Sequence, residues 1–348
     1  MVDVAFLAAV LVTAFCITSF AMPAVIRKMM AAGISGRDVN KPGRPEVAEM
    51  GGLGIVMGVV GALLLAMAMK TFMGYQFSLE EIMAAMLTMA IIALIGIFDD
   101  LFDMRKDVKA VLPMVAALPL VALAAAGSTT ISVPFLGPLD FGIFYIIVLI
   151  PLGVTVAANL TNMLAGFNGM EAGMGCVIFA CVALLAVANG STEMGLISVA
   201  MLGALAAFLR FNWYPARVFI GDIGTLLIGG ALAVSVIVGN LESAGAILVI
   251  PYLVDFAIKA KNNFPSTDWW GEMKGDGGSR LKGIAPSGSG PEDGGRLHPL
   301  GGKVRGLCQL VMKLTGGISE RRLALLFIAA EGLFALLAIL LYGRNLLL

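Results

Sequence analysis

Ten stretches of this 348-residue chain are apolar for about the length of a bilayer-crossing helix, and their recurrence constrains the fold more than any motif does. A helix needs about 17 to 25 mostly apolar residues to cross a bilayer, because lipid offers no partner to an unpaired peptide group. The runs lie near residues 4–26, 51–69, 82–98, 109–126, 141–158, 173–189, 195–209, 218–239, 244–262 and 322–342. The ninth is the least regular, since it carries Pro251 and Asp255. With 59% of residues hydrophobic and 13% charged, a water-soluble domain is excluded. The expected fold is all-α: one polytopic membrane domain over residues 1–348, with about ten transmembrane helices and a glycine-rich loop ahead of the last.

The first run begins at Asp3, without a basic leader, and is followed by Arg27 and Lys28, which reads as a retained anchor with its amino end outside. Threading ten helices from that start puts the connections near 27–50, 99–108, 159–172, 210–217 and 259–321 on one side. That side then holds 21 of the 23 lysines and arginines, leaving Lys70 and Arg344 opposite. Basic excess marks the cytoplasmic face. The polar stretches "EMGGLG" at 49, "DD" at 99, "NLTNMLAGFNG" at 159, "FIGD" at 219 and "GRLHPL" at 295 all fall there too, which points to one cytoplasmic site built from helix ends and loops. Cys16, Cys176, Cys181 and Cys308 have no metal-ligand or paired spacing and read as free thiols.

Asp99 and Asp100 end the third run, and adjacent carboxylates at a membrane boundary are costly unless a cation or a proton offsets them. Asp103 and Asp107 continue the Asp99 face at helical spacing, and Arg105, Lys106 and Lys109 follow within the next turns. A solvated, charge-mixed helix end is the plain alternative. Thr155, Asn159 and Asn162 share one face of the fifth run, either to hydrogen-bond a neighbouring helix or to serve a ligand. Asp222 stands about five residues inside the boundary marked by Arg217, roughly 7 Å along a helix axis. Together with Asn162 it offers a divalent cation one carboxylate and one amide oxygen, hard donors that suit Mg²⁺ when substrate phosphates complete the shell. Asp255 reads as a packing or gating residue. The loop from 263 to 303 should be irregular, and within it His298, the one histidine of the chain, stands two positions after Arg296, which could pair with a phosphate. Val304, Leu307, Leu310, Val311 and Leu314 make an apolar stripe of a short surface helix, and Ser319 is placed to cap the last span.

In this order, "PEVAEMGG", "FDD", "NLTNMLAGFNGMEAG", "VFIGDIGTLLIGG" and "GRLHPL" resemble the polyprenyl-phosphate N-acetylhexosamine-1-phosphate transferase superfamily of membrane enzymes, over nearly the whole chain. "NMLAGFNGMEAG" is more similar to the dolichyl-phosphate N-acetylglucosamine-phosphotransferases of eukaryotes and archaea than to the bacterial branch, whose histidine-rich loop is absent. The resemblance implies transfer of N-acetylglucosamine 1-phosphate from UDP-N-acetylglucosamine to a polyprenyl or dolichyl phosphate, with release of UMP. It implies Mg²⁺, or Mn²⁺ in its place, held by Asn162 and Asp222. Asp99 and Asp100 would lie at the reaction centre, with Lys109 on the pyrophosphate and Asn159 at the substrate. Phe219 would stack on uracil and Asn168 would read the base edge. Glu49 falls at the matched acidic position of the first cytoplasmic loop, and Arg296 with His298 would close over diphosphate and sugar. Asp99 either removes a remaining proton or orients the acceptor phosphate. A homodimer is implied as well, with membrane lipids and no nucleic acid among the partners. Three competing readings remain: a bacterial-type transferase using undecaprenyl phosphate, a transporter, and an inactive scaffold. A transporter would instead place its polar groups near the midplane within internal repeats.

Overall fold

The computed structural model of the chain describes residues 2–38, 40–41, 44–102, 104–122, 128–133, 137–264, 296–299 and 303–343. Asp103 and most of the loop read over 263–303 lie outside the described residues. The chain is an all-α polytopic membrane protein. Among the described residues eight helices are long and apolar enough to cross a membrane: α1 (Val4–Ala31), α2 (Gly52–Met73), α3 (Leu79–Phe102), α7 (Ile150–Met163, extended backwards by a π-helical turn, Tyr145–Leu149), α8 (Met170–Asn189), α9 (Thr192–Asn212), α10 (Gly221–Val238) and α14 (Glu320–Tyr342). Counted together as one broken span, α11 (Glu242–Leu248) and α12 (Ile250–Lys261), which meet at a 58° bend, make a ninth. That bend falls at Pro251, whose ring cannot continue the hydrogen-bond ladder of α11. The run expected over 109–126 forms three short helices in series, α4 (Lys106–Val111), α5 (Pro113–Ala116) and α6 (Leu118–Ala122), before the described chain pauses at 123.

Helix ends follow local chemistry. Asp3 caps α1, its Oδ1 accepting the Ala5 N–H at 2.9 Å and the Phe6 N–H at 3.1 Å. Gly169 and Gly190, with φ of 79° and 74°, bound α8 at either end. Among the described residues three two-stranded antiparallel ribbons lie outside the spans: β1 (Ser35–Arg37) with β2 (Glu46–Ala48), β3 (Thr130–Val133) with β4 (Gly137–Asp140), and β5 (Arg296–Leu297) with β6 (Ile318–Ser319).

The most enclosed of the long helices is α10, packed between α3 and α7. Lipid tails are as apolar as leucine, so helices in a membrane associate where small residues let backbones approach. Gly96 of α3 is such a point: a Cβ there would stand 2.4 Å from the Ile223 Cα. Gly229 of α10 is another, where a Cβ would stand 2.0 Å from the Ala157 carbonyl oxygen of α7. This tight packing holds the amino end of α10 against the carboxyl ends of α3 and α7. α13 (Leu307–Leu314) turns Cys308 and Met312 inward, packs Leu307 and Val311 of the expected stripe against the same core and leaves Leu314 exposed. All four cysteines are free thiols.

Candidate active site

Five of the expected residues meet at one end of the bundle. Lys109 of α4 forms ion pairs with Asp99 Oδ2 and, at 2.9 Å, with Asp222 Oδ2. Asn162 Nδ2 donates to Asp222 Oδ1 at 2.5 Å and to Thr225 Oγ1 at 2.8 Å. Asp100 accepts the backbone N–H of Asp222 at 2.9 Å on Oδ1 and that of Ile223 at 3.4 Å on Oδ2. It therefore caps the positive end of α10, where a carboxylate is favoured by the exposed N–H groups and the helix dipole. Asp99 faces the ammonium and the Met104 N–H instead, the latter at 3.0 Å. The two adjacent acids thus hold different posts, one on the α10 backbone and one on Lys109.

Two placements differ from the expectations. α3 stops at Phe102, so Asp107 does not extend the Asp99 face. It pairs with Arg105 at 2.7 Å on the surface, where both side chains are largely exposed. Asp222 stands in the first turn of α10, not five residues into a helix, because the helix starts only at Gly221 and the residues before it are laced to the end of β2 and the turn that follows. Phe219 N–H donates to the Ala48 carbonyl at 2.8 Å, Gly51 N–H to that of Phe219 at 2.9 Å and Gly52 N–H to that of Ile220 at 2.8 Å. Gly221 takes φ of 69°, and a Cβ there would stand 2.6 Å from Asp100 Oδ2, so only glycine lets the Asp100 carboxylate reach the helix end.

The remaining candidates surround this cluster in different ways. Asn159 commits its amide nitrogen to the carbonyls of Ala110, at 3.0 Å, and Thr155, at 2.9 Å, which ties α7 to the helix carrying Lys109. Glu49 is half-buried, its N–H bonded to the Ile34 carbonyl at 3.2 Å, and its charge bears on Asp100. Phe219 is buried against Val47 and Ala216. Asn168 is buried in a second polar cluster with Asp38 and Glu320. Arg296 is exposed on β5 opposite Ser319, and the His298 ring lies against Gly317, which places both beside the start of α14. Ser319 occupies the cap position of α14 without a side-chain cap bond. Asp255 binds Lys259 at 2.8 Å and the Leu307 N–H at 2.7 Å, while Lys259 reaches the Met163 carbonyl at the end of α7, an anchoring role for a residue read as packing or gating.

Sequence reasoning missed Thr225, which accepts from Asn162 and whose carbonyl takes the Thr161 hydroxyl at 2.8 Å. Its position one turn after Asp222, on the same face, was the available signal. Asp38, Lys41 and Glu320 were missed too, and no spacing announces residues so far apart in the chain.

The donors present fit a hard divalent cation. No three carboxylate, imidazole or thiolate groups among the described residues converge into a closed cage. Asp222 supplies a carboxylate; Asn162 now turns its amide nitrogen to it, and its carbonyl oxygen, which accepts no bond among the described residues, would join a shared cation on a turn of the amide. Asp99 and Asp222 share a single ammonium, so a bound cation would offset the second carboxylate. An open site of one carboxylate and one amide oxygen, to be completed by phosphate and water, is the arrangement Mg²⁺ accepts.

Comparison with known proteins bears on what such a site serves. The model of glycosyl transferase family 4 matches residues 82–240, the stretch from α3 through α10 that carries Asp99, Lys109, Asn162 and Asp222. A protein of Saccharolobus solfataricus, under the provisional name of a UDP-N-acetylglucosamine–dolichyl-phosphate N-acetylglucosaminephosphotransferase, is 35% identical over 91% of this chain and 91% of its own. A Sulfolobus acidocaldarius protein of the same provisional name is 32% identical over 94% of each. The Dictyostelium discoideum protein that carries the name without qualification is 28% identical over 90% of this chain and 82% of its own. With similarity covering 91% of the chain and the matched region carrying the polar cluster, the chain belongs to glycosyl transferase family 4.

Proposed function

We propose that the protein transfers N-acetylglucosamine 1-phosphate from UDP-N-acetylglucosamine to a polyprenyl phosphate of the dolichyl type, releasing UMP, at the cytoplasmic face. The observation that carries the reading is the sharing of Lys109 between Asp99 and Asp222, with Asn162 alongside, at the membrane-flanking ends of α3, α7 and α10. A lipid phosphate and a water-soluble nucleotide sugar can meet only at such a boundary. The names of the relatives support the donor and acceptor, and the basic bias of one side supports the cytoplasmic orientation.

In this reaction an oxygen of the lipid phosphate attacks the β-phosphorus. The bond from that phosphorus to the bridging oxygen breaks, UMP leaves with the oxygen, and a lipid-linked diphosphate sugar forms. Both reactants are anions, so their repulsion is the first barrier. Lys109 is placed to exchange a carboxylate partner for a diphosphate oxygen and to stabilise charge on the transferring group. Asp222 and Asn162 would hold Mg²⁺, which when bound neutralises diphosphate oxygens. Asp100 fixes the amino end of α10 and with it Asp222. Asp99 orients the acceptor phosphate through Lys109 or takes its remaining proton. Catalysis then rests mainly on holding the two phosphates in line.

The test is UMP release by the purified protein. Release that needs both a polyprenyl phosphate and Mg²⁺ supports the reading; release without a lipid acceptor, or none with any donor, overturns it.

A further inference from the structure

Asp255 and Lys259 form an ion pair that no step of the proposed reaction uses, 2.8 Å apart and with the two residues 1% and 7% exposed. They stand four residues apart on α12 with the acid first, the order in which such a pair reinforces a helix. Burying two charges costs more desolvation than apolar residues of the same volume would, so the pair is a poor way to add stability. What distinguishes it is the helix end that each charge faces.

Lys259 Nζ donates to the carbonyl of Met163, the last residue of α7. The final carbonyls of a helix have no N–H ahead of them, and the helix dipole favours an ammonium there. The Phe167 N–H, which a further turn of α7 would have brought to Met163, goes to the Glu171 carboxylate instead. Asp255 Oδ1 accepts the Leu307 N–H at 2.7 Å, at the amino end of α13, where a carboxylate is favoured for the opposite reason. Gly306 permits this approach, since a Cβ there would stand 2.9 Å from Asp255 Oδ1 and 3.2 Å from Lys259 Cε. The pair therefore ties the end of α7 to the start of α13. The bend at Pro251 makes the reach possible: α11 packs on α14, while α12 beyond the bend packs on α7.

What α7 presents at this end is Asn162, the residue before Met163, whose amide meets Asp222 and Thr225. The Thr161 hydroxyl bonds the Thr225 carbonyl at 2.8 Å, so the last turn of α7 is held from α10 by a hydroxyl and from α12 by an ammonium. Asp222 is fixed separately, through its own backbone N–H on Asp100. The separation of Asn162 from Asp222 thus depends on how firmly the end of α7 is held.

We propose that Lys259, oriented by Asp255, is a positioning residue that fixes the last turn of α7 so that Asn162 can share a cation with Asp222. This rests on the reading of Asp222 and Asn162 as the metal pair.

The experiment is a Mn²⁺ titration of the purified full-length protein, read by the electron paramagnetic resonance of free Mn²⁺, with the Mg²⁺ dependence of UMP release measured in parallel. The double variant Asp255→Asn, Lys259→Met leaves neither charge buried alone, and its thermal midpoint in EDTA should stay at or above that of wild type. Its Mn²⁺ affinity should fall about tenfold, the Mg²⁺ needed for half-maximal release should rise by about the same factor, and the KM for polyprenyl phosphate should not change. Lys259→Arg, which can still donate to the Met163 carbonyl, should bind Mn²⁺ within about twofold of wild type. In an Asn162→Ala background the double substitution should weaken Mn²⁺ no further, because it acts through Asn162. A merely structural role would lower the midpoint and would weaken Mn²⁺ in that background as well. Unchanged Mn²⁺ affinity in the double variant, or a loss that persists in Asn162→Ala, overturns the inference alone. Failure of wild type to bind Mn²⁺ removes the metal reading and the inference together, and Mn²⁺ binding that follows these variants without turnover removes only the reaction.

Discussion

The Asp100 carboxylate receives the backbone N–H of Asp222 at 2.9 Å, so the second acid of the "DD" pair sets the position of the acid that ends the α10 side of the site. Asp99 instead faces Lys109. Neighbours in sequence therefore differ in what a neutral substitution should do. Asp100→Asn keeps an oxygen able to accept one N–H and loses about 1 kcal/mol of charge–dipole stabilisation. Its turnover should fall about tenfold through misplacement of Asp222. Asp99→Asn frees Lys109 from a charged partner and should cost about 100-fold or more. Steady-state kcat of the two variants, with thermal midpoints alongside, checks the order; equal losses would contradict it.

Lys109 bridges two carboxyl groups that also hydrogen-bond each other. Removing one partner of a buried ion pair leaves charge uncompensated, at a cost of about 3 kcal/mol. Lys109→Met should lower the thermal midpoint and reduce kcat about 100-fold or more. Addition of Mg²⁺ should then raise the midpoint further in the variant than in wild type, since a cation replaces the missing ammonium. Differential scanning fluorimetry with and without Mg²⁺ reads this directly.

Asn162→Asp places a second carboxylate where an amide nitrogen now sits 2.5 Å from Asp222 Oδ1. Without metal the two acids repel, and with metal they make a stronger hard-oxygen site. The variant is expected to be less stable than wild type in EDTA and to recover most of the difference in millimolar Mg²⁺. A midpoint indifferent to Mg²⁺ would argue against Asn162 as a metal ligand.

Glu331 lies fully buried in α14, and neither carboxyl oxygen has a hydrogen-bond partner among the described residues. Burying an unpaired polar group costs about 1–3 kcal/mol. Glu331→Met fills similar volume without that cost and should raise the thermal midpoint while UMP release stays within about twofold of wild type. A fall in midpoint would show that the carboxyl has a partner.

The long helices were legible because lipid imposes a length and a composition that the apolar runs display directly. The run at 109–126 was less legible, since Pro113 and Pro119 punctuate it and its carboxyl side lies outside the described residues. The acids and amides of the candidate site could be read from "FDD", "NLTNMLAGFNG" and "VFIGD", but not their division of labour. That Asp100 caps α10 while Asp99 meets Lys109 depends on the crossing of α3 with α10 at Gly96, a tertiary fact. The start of α10 was not legible because the backbone pairing of residues 218–220 with residues 48–52 keeps the approach out of the helix. Lys41 and Glu320 meet across 279 positions, and no local pattern carries that information.

The most direct measurement follows the two halves of the donor's transferred group. The purified protein would be given UDP-N-acetylglucosamine labelled in both the sugar and the β-phosphate, together with a polyprenyl phosphate and Mg²⁺. Both labels are expected to move into the lipid phase in equal amounts, with UMP left in the water phase, and Asp222→Ala should abolish the transfer. Sugar label moving without the β-phosphate label, with UDP left behind, would contradict phosphosugar transfer at this site.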